Sequence, residues 1–187
     1  MILIKKTLDE ISNNFLTLGD ESVSQIEEAS KLIIKSLQGG GKIMFCGNGG
    51  SAADAQHLSA ELVGRYMRNR KPLASLALTT DTSTITAISN DFSFDDIFSR
   101  QLEAIGNEGD ILYAISTSSK SKNVIAALNT AKNLKIKTIG VTGSDDSGFK
   151  DLCDIIISAP ASRPDRIQEM HIAIGQIICE ILELELC

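Results

Sequence analysis

Five short apolar runs separated by helical stretches constrain this chain more than any other feature. The runs are 43–46, 74–78, 110–115, 137–141 and 154–159. Each is near-continuously apolar rather than alternating, as expected of strands covered on both faces. Helical spacing follows at 52–66, 84–89, 95–105, 122–134 and 165–186. Strands alternating with helices imply a parallel sheet. The expected fold class is therefore α/β: a doubly wound, flavodoxin-like three-layer α/β/α sandwich on a five-stranded parallel sheet. A length of 187 residues suits a single domain with a proper core.

Two amphipathic helices precede the first strand, over 3–18 and 22–37. Ser22 is the expected cap of the second, and Gly39-Gly40-Gly41 its stop. They form a helical extension, 1–38, with no sheet slot of its own. It either covers the sheet or pairs with another subunit.

In a doubly wound sheet, ligands bind beyond the carboxyl ends of the strands. That rule selects Gly47–Ser51, Thr79–Thr82, Ser116–Ser121 and Thr142–Asp146. At the first, strand, glycine turn and helix follow one another, with Ser51 as the expected N-cap. This order presents backbone N–H groups to an anion. Gly47-x-Gly49-x-x-Ala52 also fits the dinucleotide fingerprint. The acidic residue expected about 20 residues on is missing there; the second strand ends only at Asp81. A small phosphorylated or hydroxylated ligand is the better reading.

At the third, five hydroxyls fall within six residues, Ser116 to Ser121. One would suffice to cap a helix; five suit the oxygens of a phosphate. His57 and Glu61 stand four apart on the helix behind the glycine turn, on one face. A nitrogen and a carboxylate so placed can share a metal ion or a substrate proton. Arg65, one turn further, can steer an anion. The last helix carries Asp165, Arg166, Gln168, Glu169, His171 and Gln176 among core aliphatics, and His171 reads as a structural histidine.

A formal charge of −6 and a pI near 4.9 argue against a nucleic-acid partner. The four cysteines lack CxxC spacing, which leaves no disulfide framework or zinc knuckle. MILIKKTLDEISNN breaks into charge after four residues, without a signal-peptide core. No apolar run approaches the roughly 20 residues of a membrane span. The expected location is the cytoplasm.

CGNGGSAADAQH (46–57), SNDFSFDDIFSRQ (89–101), ISTSSKSKNV (115–124) and RIQEMH (166–171) together resemble the phosphoheptose isomerases, sugar isomerase (SIS) fold proteins. The resemblance spans nearly the whole chain. It implies conversion of sedoheptulose 7-phosphate to D-glycero-D-manno-heptose 7-phosphate. It also implies a homotetramer with sites shared between subunits, and zinc. Carried over, Asn48, Gly49, Gly50 and Ser51 contact substrate. Ser116, Thr117, Ser118 and Ser121 hold the phosphate, and Arg65, Asn90, Asp91, Asp165 and Gln168 line the site. Glu61 is the base, and zinc falls to His57, Glu61, Gln168 and Gln176. Gln176 stands where the family has a histidine that is both ligand and partner acid/base. An amide cannot exchange protons near neutral pH and binds zinc weakly. Either zinc or His171 could then serve as the proton-moving partner. Ser119 likewise replaces a usual glycine. The alternative is a non-catalytic SIS protein that binds a sugar phosphate or a replication initiator; a nicotinamide enzyme is a third reading.

Overall fold

The structure, a computed structural model, describes residues 1–187. Two helices come first, α1 (Ile2–Leu16) and α2 (Asp20–Gln38). Then follow β1 (Ile43–Gly47), α3 (Gly50–Val63), β2 (Ser75–Ala77), α4 (Thr82–Asp91) and α5 (Ser99–Ile105). The second half is β3 (Ile111–Ile115), α6 (Lys122–Asn133), β4 (Lys137–Thr142), β5 (Ile155–Ser158) and α7 (Pro164–Leu186). The strands form one sheet of order β2-β1-β3-β4-β5, parallel throughout. The strand order reverses between β1 and β3, the crevice at which such sheets take ligands.

Alternate strand residues feed two cores, one on each face of the sheet. Phe45 and Tyr113 point toward α2, α3 and α7, against Ile26, Ile33, Leu58, Leu62, Ile174 and Ile178. Met44, Cys46, Leu112 and Ala114 point the other way, against Phe98, Leu102, Val124 and Leu128. Both faces are thus covered, which is why the strands carry no alternation of polar residues.

The two N-terminal helices have different fates. α2 buries Ile26, Ala29 and Ile33 and belongs to the core. α1 buries no residue and leaves Ile2, Leu3, Ile4 and Leu8 exposed. Several boundaries differ from expectation. The N-cap of α2 is Gly19 rather than Ser22 and that of α3 is Gly49 rather than Ser51, because the helices begin three and two residues earlier. The helix expected over 95–105 is a 3₁₀ turn, Phe94–Asp96, followed by α5. α4 runs longer than 84–89 because the Asp81 carboxylate accepts the Thr84 N–H at 3.0 Å and starts it early.

Ile33 is 1% exposed in the α2 core. Ile33→Ala should cost about 2–5 kcal/mol in urea unfolding. A loss well below that range would mean that α2 does not cover the sheet.

Candidate active site

The strand pairing sets Gly47 beside Ile115. The glycine corner after β1 and the hydroxyl loop after β3 therefore leave the sheet side by side. Their amides lock them together: Asn48 Nδ2 donates to Asn123 Oδ1 and Asn123 Nδ2 donates back to Asn48 Oδ1, each at 2.8 Å. Gly49 takes φ +56°, a conformation glycine adopts without penalty. A Cβ on Gly50 would lie 2.6 Å from the Gln168 amide, so α7 closes onto the corner. Neither α3 nor α6 has a side-chain cap at its N-terminus. Both present uncapped helix starts to the crevice, a setting suited to an anion.

Within the loop, Ser116 is buried and its hydroxyl meets that of Ser121 at 3.1 Å. Ser118 is exposed and Thr117 half-buried. Ser119 holds φ +53°, the left-handed region that explains the glycine usual there. Its fully buried hydroxyl accepts the Gly148 N–H at 3.1 Å, which offsets part of the strain. Gly148 in turn has no room for a Cβ, which would collide with the Ser119 carbonyl.

On α3, His57 Nε2 lies 3.0 Å from Glu61 Oε1, with side chains 49% and 21% exposed. Both groups are reachable from solvent. α7 runs parallel to α3: Gln168 packs at Gly50, and Gly175 packs so tightly on Leu58 that a Cβ would come within 2.5 Å of it. Gln176, beside Gly175, is half-buried. Glu61 stands about 16 Å along the α3 axis from Gly50, at 1.5 Å per residue. One chain thus separates the carboxylate from the phosphate loop by most of a helix.

The other expected site residues lie on several elements: Ser51 and Asp165 at the corner end of α3 and α7, Arg65 past the far end of α3, and Asn90 and Asp91 at the end of α4. Asn90 and Asp91 are exposed at the end of α4 and bond to each other at 2.8 Å. Asp165 is exposed in the first turn of α7 and pairs with Arg163 and Arg166. These cations, with local hydrogen bonds, hold its carboxyl below the usual range. Arg65 is exposed just past α3. Ser51 is buried in the first turn of α3, packed under Gly47.

His171 cannot stand in for a missing proton carrier. It is 1% exposed, and its Nε2 donates to the Thr142 carbonyl at 3.0 Å, tying α7 to the end of β4. Burial depresses its pKa to about 4, against a smaller raising effect of that bond.

For zinc, His57 and Glu61 fit as two ligands of suitable type and spacing. The two glutamines are about 12 Å apart along α7. With the Gln168 amide against Gly50, the full set does not converge in one chain. Two residues escaped the sequence reading. Asn123 is 2% exposed; it stands in the ISTSSKSKNV stretch, but that gave it no role. Asp54 lies one turn before His57, and burial pushes its carboxyl up to about 6, with His57 opposing. Its Oδ2 is buried without a partner. The D-x-x-H spacing on α3 was the available sign.

The sign of the His171 effect is fixed by its depressed pKa. Above its unfolded value of 6.5 the imidazole is neutral in both states. As pH falls from there toward 4, the unfolded chain takes up a proton that the folded one refuses, and stability is lost. His171→Gln should therefore be less stable than the parent at pH 7, with the gap in Tm narrowing toward pH 4. It should keep kcat within a few-fold. A gap that widens on acidification would contradict a buried neutral imidazole.

The SIS domain family matches residues 8–143. A phosphoheptose isomerase of Rhodospirillum rubrum is 50% identical over 173 residues, covering 92% of each chain. The structure of a phosphoheptose isomerase from Neisseria gonorrhoeae superposes with a TM-score of 0.91 at 39% identity, covering 96% of each chain. One from Francisella tularensis gives 0.94 at 34% identity, covering 97% of each. The chain belongs to the SIS-domain family and, within it, to the phosphoheptose isomerases.

Proposed function

We propose that this chain converts sedoheptulose 7-phosphate to D-glycero-D-manno-heptose 7-phosphate, the first step toward nucleotide-activated heptose for lipopolysaccharide or capsule. The observation that carries the reading is the Asn48–Asn123 lock between the glycine corner and the hydroxyl loop. It supports one anion-binding surface at the switch point, with backbone N–H groups and hydroxyls as donors. An acidic protein can hold a sugar phosphate this way without a basic face. The enzyme acts in the cytoplasm; no helix is long and apolar enough to cross a membrane.

In this scheme Ser116, Thr117, Ser118 and Ser121 hold the phosphate, and Asn48, Gly49, Gly50 and Ser51 the sugar. Glu61 removes a proton from C1. The C1–H electron pair becomes the C1=C2 bond, and O2 takes up a proton. The enediol then loses the O1 proton as C1=O forms, and the protonated Glu61 returns its proton to C2. The C1-to-C2 transfer needs only this one carboxylate within hydrogen-bond reach; the proton that O2 gains is drawn from water, and the one that O1 loses returns to water.

Glu61 reaches a substrate held by the loop of a neighbouring copy. This is the reason for a homotetramer, in which Arg65, Asn90, Asp91 and Asp165 line the composite site. The exposed apolar stripe of α1, with Ile2 88% and Leu3 76% exposed, supports such an assembly. If zinc were held by His57 and Glu61, with Gln168 and Gln176 drawn from different copies of the chain, it would polarise the sugar carbonyl as a Lewis acid.

Gln176 cannot carry the proton between O1 and O2. This favours a slow isomerase over its relatives' acid/base pairing, and it is the one feature that favours a sugar-phosphate-binding regulator instead. Heptose 7-phosphate formation by the purified protein, with and without added zinc, separates the two. Turnover is expected, and Gln176→His should raise kcat by on the order of tenfold or more. No turnover in either form under any metal condition would select the regulator.

A further inference from the structure

The end of α3 that carries Glu61 is closed by an unusual device. Gly64 follows the helix but sits at φ −80°, outside the left-handed conformation that ordinarily satisfies the last carbonyls. Arg70 does this instead. Its Nη2 donates to the Glu61 carbonyl at 2.7 Å and its Nη1 to the Leu62 carbonyl at 2.8 Å. Its Nε donates to Glu183 of α7 at 3.0 Å. The Glu183 carboxylate also accepts the N–H groups of Tyr66, Met67 and Arg68 at 2.8–2.9 Å. Both side chains of the pair are 2% exposed.

We infer that Arg70 and Glu183 are a positioning pair for the isomerase reaction, holding Glu61 and the turn that bears Arg65 in fixed register with α7. The inference deepens the isomerase reading and rests on Glu61 as its base. A helix can be ended with one glycine and no buried charge. Burying two charges is costly before they pair, and such pairs often add no net stability. What this pair supplies is geometry. One guanidinium ties the backbone of Glu61 to a carboxylate on the helix that also carries Gln168 and Gln176. The same carboxylate fixes three successive amides of the turn. Rotation of the last turn of α3 would have to break both sets of bonds at once.

Glu183→Gln removes the charge at constant shape. The double variant Arg70→Gln/Glu183→Gln leaves no unpaired buried charge, so it remains informative where the single variant fails to fold. For either folded variant, kcat for sedoheptulose 7-phosphate should fall about 10- to 100-fold while KM stays within about threefold, as expected for a displaced catalytic group. Arg70→Lys should not rescue, since one ammonium cannot serve two carbonyls and a carboxylate. The chain has two histidines, so the imidazole NMR signals give a readout independent of turnover. The His57 signal, in contact with Glu61, should move while that of buried His171 stays. A folded double variant with unchanged kcat, or with a His57 signal that does not move, overturns the inference. A parent protein without turnover whose His57 signal still moves in the variants overturns the isomerase reading and leaves the pair's role in place.

Discussion

The hydrogen-bonded register of β1 against β3 is the constraint on which the rest of the molecule depends. It puts Gly47 level with Ile115, so two loops of unrelated sequence leave the sheet at the same height. Everything that could hold a phosphate follows from that adjacency: two uncapped helix starts, a row of hydroxyls and a glycine at positive φ. A one-residue slip would turn each strand's side chains to the opposite face and mix the two cores, so the buried faces enforce the register. The reciprocal Asn48–Asn123 amides carry it past the ends of the strands, where the backbone ladder stops.

A second theme is the work given to α7. It packs on α3 at Gly175, closes on the glycine corner through Gln168 and reaches β4 through His171. Its far end buries Glu183 beneath the turn after α3. Burial pushes that carboxyl up, but three backbone N–H groups and Arg70 together hold it below its usual value. Gln168, His171 and Glu183 are thus ties from α7 to other elements, while Asp165, Arg166 and Glu169 pair among themselves at its start. Gln176 stands where a proton carrier would be needed.

Much of this was legible in the residues because the signals were local. Five apolar runs and the glycines and serines that end them specify strands and corners, whatever lies elsewhere in the chain. The hydroxyl loop was readable for the same reason, and so was the His57–Glu61 pair, whose spacing is a property of one helix. The rest depended on partners far along the chain. Nothing local marks Arg70 as the cap of α3, because its carboxylate is over a hundred residues away. Asn123 reads as an ordinary helix residue until Asn48 is found opposite it. α1 and α2 have the same amphipathic pattern, yet only α2 meets the sheet. The start of α3 was misplaced because the chain enters the helix directly from the glycine corner at Gly50, with no side-chain cap to mark it.

The glycine corner and the hydroxyl loop act as one surface. Asn123→Ala removes both amide bonds while leaving every hydroxyl and every backbone N–H in the chain. Two lost bonds are worth about 2 kcal/mol, so KM for sedoheptulose 7-phosphate should rise by roughly tenfold or more in a variant with parental secondary structure. A KM equal to the parent's would mean that the two loops bind independently, and that the surface described here does not exist as a unit.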